Sequence, residues 1–197
     1  MDNMHFPIMY RDGSRQGFIE IDLAAAYAAD NEKGCLMGMI EGELAEKITS
    51  FAKKAIKEEN LTGDKFETEP HITALYGFDP SFETSPLQSL LENQESISCS
   101  LGTVSRFENP DCDVLKIEVH SPEMQRLHYG LKYSLSDDSK FKNQIYHPHV
   151  TLAYVRKNTH RELDGHQAFV KDKFSVSSLV YSPPDKTKRQ VLNFKKK

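Results

Sequence analysis

The chain has no tryptophan, only three cysteines, and no apolar run long enough to span a membrane. Each shortage excludes something. A membrane-spanning helix needs about 20 consecutive apolar residues, so no membrane partner is expected. Cys35, Cys99 and Cys112 are an odd set without paired metal-ligand spacing, which suits a reducing cytoplasm better than a disulfide framework. Near the start, Asp2, Asp12, Glu20 and Asp22 interrupt any apolar segment, so a secretory signal is not expected. Positive charge is also short: 25 Lys and Arg against 29 Asp and Glu leave a net charge of −4. Proteins that grip long nucleic acid through many phosphates are usually basic, so that class is disfavoured while small anionic ligands remain open. The basic residues that do gather (Lys186, Lys188, Arg189, Lys195, Lys196, Lys197) read as a solvated tail that could lend positive potential to a phosphate site.

What is present is ordinary for a globular domain: 197 residues, 38% hydrophobic and 27% charged. Residues 1–33 read as a polar extension, with a turn at Asp12-Gly13 and possible helical turns at Leu23 to Ala29. From residue 34 to 197 one domain is expected, since no linker divides it. Cys35 to Ile40 suits a buried strand. Leu44, Ile48, Phe51, Ala52, Ala55 and Ile56 recur at helical spacing and predict an amphipathic helix ending near Asn60. His71 to Phe78 reads as a strand, and Ser85-Pro86 as a capped start to a short helix. Alternation predicts strands at Ile97 to Leu101 and Leu115 to Val119. Ser121-Pro122 opens a helix with Met124, Leu127, Leu131 and Leu135 inward, and a polar loop from Ser136 to Asn143 follows it. His149 to Val155, Phe174 to Tyr181 and Gln190 to Phe194 read as further strands, the last two split by the turn at Ser182-Pro183-Pro184-Asp185. The order is that of an α+β fold with mostly antiparallel sheets.

One repeat carries chemistry. Residues 70–76 read Pro-His-Ile-Thr-Ala-Leu-Tyr and residues 148–154 read Pro-His-Val-Thr-Leu-Ala-Tyr. The copies lie 78 residues apart, each after a helix and each opening a strand, which points to two-lobed pseudo-symmetry. In a strand, residues i and i+2 share a face, so His71 with Thr73 and His149 with Thr151 present two imidazoles and two hydroxyls. If a two-fold axis relates the lobes, all four meet in one cleft. One neutral imidazole can then take a proton from an attacking hydroxyl while the other, protonated, supplies the leaving oxygen. The threonines can donate to non-bridging phosphate oxygens. A lone His-x-Thr signifies little; two copies in matching surroundings favour a catalytic quartet.

This paired motif resembles the 2H phosphoesterase superfamily, which includes LigT-like RNA ligases and cyclic phosphodiesterases. The resemblance implies a two-lobed α+β fold whose motifs face each other across a central cleft with helices outside. It also implies a catalytic set of His71, Thr73, His149 and Thr151 and no cofactor. Within that superfamily, the stretch Asn109-Pro-Asp-Cys-Asp-Val-Leu-Lys-Ile-Glu-Val119, the helix after it, and Tyr146-His-Pro-His-Val-Thr-Leu-Ala-Tyr-Val155 are most similar to phage anti-CBASS phosphodiesterases. Those enzymes destroy cyclic di- and trinucleotide immune signals, which implies a bacterial host cytoplasm and cleavage of 3′–5′ linkages. The runners-up are LigT-like processing of RNA ends bearing 2′,3′-cyclic phosphates, and a module that sequesters a nucleotide without cleaving it.

Other residues take lesser roles. With no tryptophan available, Tyr181 is the nearest candidate for stacking on a base. His147 and His149 have a spacing that can ligate zinc, but no nearby Asp, Glu or Cys completes a tetrahedral site, so no metal is expected and His147 reads as an edge residue. His120, His128, His160 and His166 read as surface residues, and Tyr76 and Tyr154 as core.

Overall fold

The computed structural model describes residues 5–9, 15–20, 33–135 and 145–195. The chain forms two compact units, 1–31 and 32–197. In the first, β1 (His5–Met9) pairs antiparallel with β2 (Arg15–Glu20), Phe6 opposite Ile19 and Pro7 opposite Phe18. The polar extension therefore contains a hairpin; its strands are short and the first holds a proline, which obscures a strand pattern. The expected turn at Asp12-Gly13, the helical turns at Leu23 to Ala29 and the loop from Ser136 to Asn143 lie outside the described residues.

The second unit is α+β. Its elements are β3 (Gly34–Met39), α1 (Gly42–Ala55), β4 (Leu61–Phe66), β5 (His71–Phe78), α2 (Ser85–Leu91), β6 (Ile97–Glu108), β7 (Asp113–His120), α3 (Pro122–Leu135), β8 (His149–Val155), β9 (Lys173–Val176), β10 (Ser178–Ser182) and β11 (Gln190–Asn193). They build one nine-stranded antiparallel sheet in the order β11-β10-β3-β5-β8-β7-β6-β9, with β4 also paired to β8.

The order divides into two matching halves that meet where β5 lies against β8. The pairing there is Ile72 with Val150, the same position in the two sequence repeats. Outward from that seam the registers also correspond. Met37, Gly38 and Met39 face Thr73, Ile72 and His71, as Lys116, Ile117 and Glu118 face Thr151, Val150 and His149. Even the closing bonds repeat: Ile40 N–H donates to the Pro70 carbonyl at 2.9 Å and Val119 N–H to the Pro148 carbonyl at 3.0 Å.

Behind the seam, Ile72, Ala74, Val150 and Leu152 are fully buried. Each larger aliphatic side chain there contributes roughly 1.5–3 kcal/mol by leaving water. They share one core with Ile48 and Ala52 of α1 and with Met124, Leu127 and Leu131 of α3. α1 packs against β8 and β4, and α3 against β5 and β6, so each helix reaches the motif strand of the other half.

Several details depart from the sequence pattern. The first long helix ends at Ala55, not near Asn60; Ile56 turns extended yet stays buried, and a single 3-10 turn precedes β4. β4 was not legible because polar residues separate Leu61 from Phe66. At α2, Ser85 lies inside the helix, and Thr84 before it spends its hydroxyl on Gln190 Oε1 at 2.6 Å instead of capping. At α3 the capping pattern holds: Ser121 Oγ accepts the Met124 N–H at 3.2 Å.

The run from Phe174 to Tyr181 is two strands, not one. β9 pairs with β6 at one end of the sheet and β10 with β3 near the other, with Ser177 alone between them. The sheet therefore curls until its ends nearly meet. Gly38 permits the approach, since a Cβ there would lie 3.0 Å from a Val176 methyl.

A buried ion pair fixes the far side of β7. Arg106 Nη1 meets Asp113 Oδ2 at 2.9 Å, both side chains almost wholly enclosed, and the same guanidinium donates to Asp164 and to the carbonyls of Thr159 and His160. No disulfide joins the three cysteines. Among the described residues, no helix is long and apolar enough to cross a membrane.

Candidate active site

His71, Thr73, His149 and Thr151 are all half-buried, while Ile72, Ala74, Val150 and Leu152 between and after them are sealed in the core. Alternation along β5 and β8 thus places the four polar side chains on the face opposite the helices. Because Ile72 pairs with Val150 in antiparallel register, His71 stands across from Thr151 and Thr73 across from His149. The quartet is therefore gathered around that one bridge, each strand contributing one histidine and one threonine to the same face.

The two imidazoles are oriented by the same device. His71 Nδ1 lies 2.7 Å from the Glu69 carbonyl and His149 Nδ1 lies 2.8 Å from the His147 carbonyl. A carbonyl only accepts, so each Nδ1 carries the proton. This leaves Nε2 of each ring as the atom able to gain or lose a proton at the open face. Burial lowers the His149 pKa below the ordinary histidine value. Its backbone bond opposes that shift, and the charges of Lys116, His71 and His147 add to it.

The surroundings of the two histidines differ. On the His149 side, the Phe107 ring meets the imidazole edge-on at 4.9 Å between centroids. Lys116, register partner of Thr151, is 6% exposed; its Nζ donates to Ser105 Oγ at 2.6 Å and sits 4.4 Å from the Phe107 ring centre. Glu118, register partner of His149, accepts the Thr103 hydroxyl at 3.3 Å. On the His71 side, Met37 and Met39 take the places of Lys116 and Glu118. There the charge comes from the tail: Arg189 makes a two-pronged bond to the Glu69 carboxylate, both contacts 2.8 Å, and this pairing holds Glu69 below the usual carboxylate range. Glu69 is the residue whose carbonyl orients His71.

The wedge where β5 and β8 diverge is filled unequally. On one side, β4 pairs with β8 and Glu67 N–H donates to the Leu152 carbonyl at 3.1 Å. On the other, side chains substitute for a strand: His128 Nδ1 binds the Ala74 carbonyl at 2.7 Å and the Tyr146 hydroxyl donates to the Thr73 carbonyl at 2.8 Å. The two rings stack in parallel, 3.9 Å apart. They line a mostly apolar cavity of about 280 Å³ together with Tyr76, Phe107 and His149. A second cavity of about 280 Å³ is bordered by Met39, the register partner of His71, and by Phe174, Val180 and Val191.

Some expectations need correction. Tyr181 is 3% exposed, with its ring edge-on against Phe78 at 5.5 Å, so neither ring face is free to receive a base. It lies on the core side of β10 because strand parity reverses between Val176 and Leu179. Tyr76 borders the cavity beside His149 instead of lying in the core. His160 is buried, and its Nε2 accepts from the Lys57 N–H and from Asn60 Nδ2. His128 is half-buried for the reason given above; His120 and His166 are exposed, as is His147. Among the described residues, no group of three His, Cys, Asp or Glu side chains is placed to hold a metal.

Sequence reasoning missed Lys116, Phe107, the Glu69–Arg189 pair and the stacked His128–Tyr146 pair. For Lys116 the available signal was a lone lysine within Val114-Leu-Lys-Ile117, on the face of β7 that alternation assigns to solvent.

No curated protein matches the chain by sequence. The family model of the 2′-5′ RNA ligase superfamily matches residues 41–180. Among solved structures the fold is similar to the TT0787 protein of Thermus thermophilus, with a TM-score of 0.58 and 16% identity over 83% of this chain and 100% of that one. It is similar to Escherichia coli LigT, with a TM-score of 0.55 and 18% identity over 82% and 98% of the two chains. It is also similar to Kluyveromyces marxianus Usb1, with a TM-score of 0.54 and 11% identity over 83% and 98%. LigT has also been solved with 3′-AMP and Usb1 with uridine monophosphate. The chain belongs to the 2′-5′ RNA ligase superfamily, and with it to the LigT-like 2H phosphoesterases, enzymes that act on phosphodiesters.

Proposed function

We propose that this enzyme opens the 3′–5′ linkages of cyclic di- or trinucleotide signals by histidine acid–base chemistry, and so antagonises CBASS defence in a bacterial host. The observation that carries the acid–base reading is the matched orientation of His71 and His149, each with Nδ1 tied to a backbone carbonyl and Nε2 left for chemistry. Burial and the neighbouring cation favour the neutral form of His149, so it is assigned as the base and His71 as the acid. His149 Nε2 removes the proton of a ribose 2′-hydroxyl. The O2′–P bond forms, the P–O5′ bond breaks, and His71 Nε2 returns a proton to O5′. The nucleophile is tethered beside phosphorus, which lowers the entropic cost of attack. Thr73 and Thr151 donate to the non-bridging oxygens as charge accumulates there. The product is a linear nucleotide ending in a 2′,3′-cyclic phosphate, which water can then open.

The cyclic-nucleotide substrate is supported by the resemblance of residues 109–119 and 146–155 to the phage enzymes. It is also supported by the cavity of about 280 Å³ bordered by His149, which offers room for a base beside a phosphodiester. A second reading, turnover of RNA ends bearing 2′,3′-cyclic phosphates, is favoured by the likeness to LigT and Usb1. Incubating the purified chain with a cyclic-dinucleotide panel and with RNA carrying a 2′,3′-cyclic phosphate separates the two by product chromatography. Opening of a 3′,3′-cyclic dinucleotide, and its loss when each 2′-hydroxyl is replaced by hydrogen, is the expected result. Cleavage of the 2′-deoxy analogue at the normal rate would exclude the tethered nucleophile. Inertness to every cyclic dinucleotide with turnover of the RNA end would select the second reading.

A further inference from the structure

The two halves of the cleft differ at one pair of equivalent positions. Beside Thr73 the neighbouring strand carries Met37; beside Thr151 it carries Lys116. Both positions lie on the face of the histidines, and opposed side chains on adjacent strands begin about 4.5–5.5 Å apart. An apolar residue suffices at this place in one half, so the fold itself does not require a cation in the other.

Lys116 is also incompletely used. It is 6% exposed, and a buried ammonium is costly unless its donors and its charge are met. Of its three N–H groups, one has a partner in Ser105 Oγ at 2.6 Å. The Phe107 ring, 4.4 Å away, offers the charge a quadrupole but no acceptor oxygen. Among the described residues, no carboxylate lies within ion-pair distance of Nζ; Glu118, two residues along the same face, accepts the Thr103 hydroxyl. The ammonium thus meets a hydroxyl and an aromatic face, and the lysine's place on β7 is opposite the motif threonine Thr151.

We propose that Lys116 is an anion-binding residue of the cleft, contacting a non-bridging oxygen of the substrate phosphate together with Thr151. This deepens the phosphodiesterase reading and rests on it. The phosphate is held asymmetrically, against the β7–β8 side, which leaves the leaving oxygen toward His71. Burial lowers the lysine's affinity for its proton, with Glu118 opposing, and an arriving phosphate anion restores it.

The test measures binding of inorganic phosphate and of 3′-AMP to the full chain by calorimetry, in the wild type, K116M and K116R. K116M copies the residue already present at the equivalent position, and K116Q, which keeps much of the stem, gives the same readout should K116M not fold. The expected result is a loss of tenfold or more in affinity for K116M or K116Q, with a shallower dependence on salt, and partial retention in K116R. Unchanged affinity in the neutral variants overturns the proposal, as does a wild type that binds neither probe. Turnover is scored separately. A chain inert toward all phosphodiesters whose phosphate affinity falls in K116M keeps the anion site and loses the proposed function. A chain that cleaves phosphodiesters and whose phosphate affinity is unchanged in K116M loses the anion site and keeps the function.

Discussion

His71 and His149 each donate Nδ1–H to the carbonyl of the residue two positions earlier, at 2.7 and 2.8 Å, so a local backbone bond sets the ring that long-range pairing brings to the cleft. Replacing either histidine by asparagine keeps a short N–H donor for that carbonyl but removes the distal nitrogen. Each single variant should lose about 10²–10⁴-fold in kcat. The double variant should lose far less than the product of the two, because the residues act as a unit. Steady-state rates for the three proteins decide it, and full activity in either single variant refutes the two-histidine mechanism.

Thr73→Val and Thr151→Val preserve shape and strand preference while deleting a donor. Loss of one donor to a developing oxyanion costs about 10²–10³-fold in kcat. The thermal midpoints of both variants should stay near that of the wild type, since the hydroxyls face the open side. A variant with unaltered kcat would remove its threonine from the transition state.

The pH profile follows from the burial of His149. A base must be neutral, and the shift lowers the pH at which His149 becomes so. The ascending limb of kcat/KM should therefore lie below the ordinary value of 6.5, within the bell-shaped profile that an acid–base pair gives. Lys116, His71 and His147 all bring positive charge toward His149, and Glu118 brings a carboxylate. Deleting the cation in K116M should move the ascending limb to higher pH. A rate that climbs steadily into the alkaline range would contradict the assignment.

Chelation gives an independent check. The proton transfers assigned to the quartet need no metal, so activity should survive EDTA. Loss on chelation with recovery on adding zinc or manganese would redirect attention to His147 and His149.

Stability should depend on a different pair. Arg106 and Asp113 are both enclosed, and removing one leaves the other's charge buried alone. Arg106→Met should cost about 3–5 kcal/mol in unfolding free energy, measured by urea titration. A loss below about 1 kcal/mol, the range of an exposed pair, would mean that water reaches Asp113 in the variant.

Histidine and threonine could be found in the sequence because each lies in a strand whose alternate residues are apolar, and because the pattern occurs twice. Strand parity alone then fixes which atoms share a face. Lys116 obeys the same parity but gives the opposite impression. A polar residue alternating with Leu115 and Ile117 reads as solvent-facing, and only the curl of the sheet turns that face into a cleft. Tyr181 failed for a related reason. Val176 and Leu179, both inward, are three residues apart, and that odd spacing records the break at Ser177 which sends the chain from one end of the sheet to the other. A single strand drawn through both puts Tyr181 in the wrong environment. The His128–Tyr146 stack had no signal, since its members are 18 residues apart in the chain and are brought together by bonds to the carbonyls of β5.

The passage through Ser177 has a consequence for the order in which the molecule is made. β6, β7, β8 and β9 are consecutive strands of the chain and lie together in the sheet, so the half carrying His149 can assemble as it emerges from the ribosome. The half carrying His71 cannot. β3 and β5 are synthesised early, but β10 and β11, which cover the outer edge of β3, follow only after the other half is complete. The nascent chain therefore holds β3 with an open edge until β10 has been made, and Arg189, the partner of Glu69 beside His71, is made only after the whole of the other half. The half carrying His71 is thus completed after the half carrying His149, when β10 and β11 close the edge of β3.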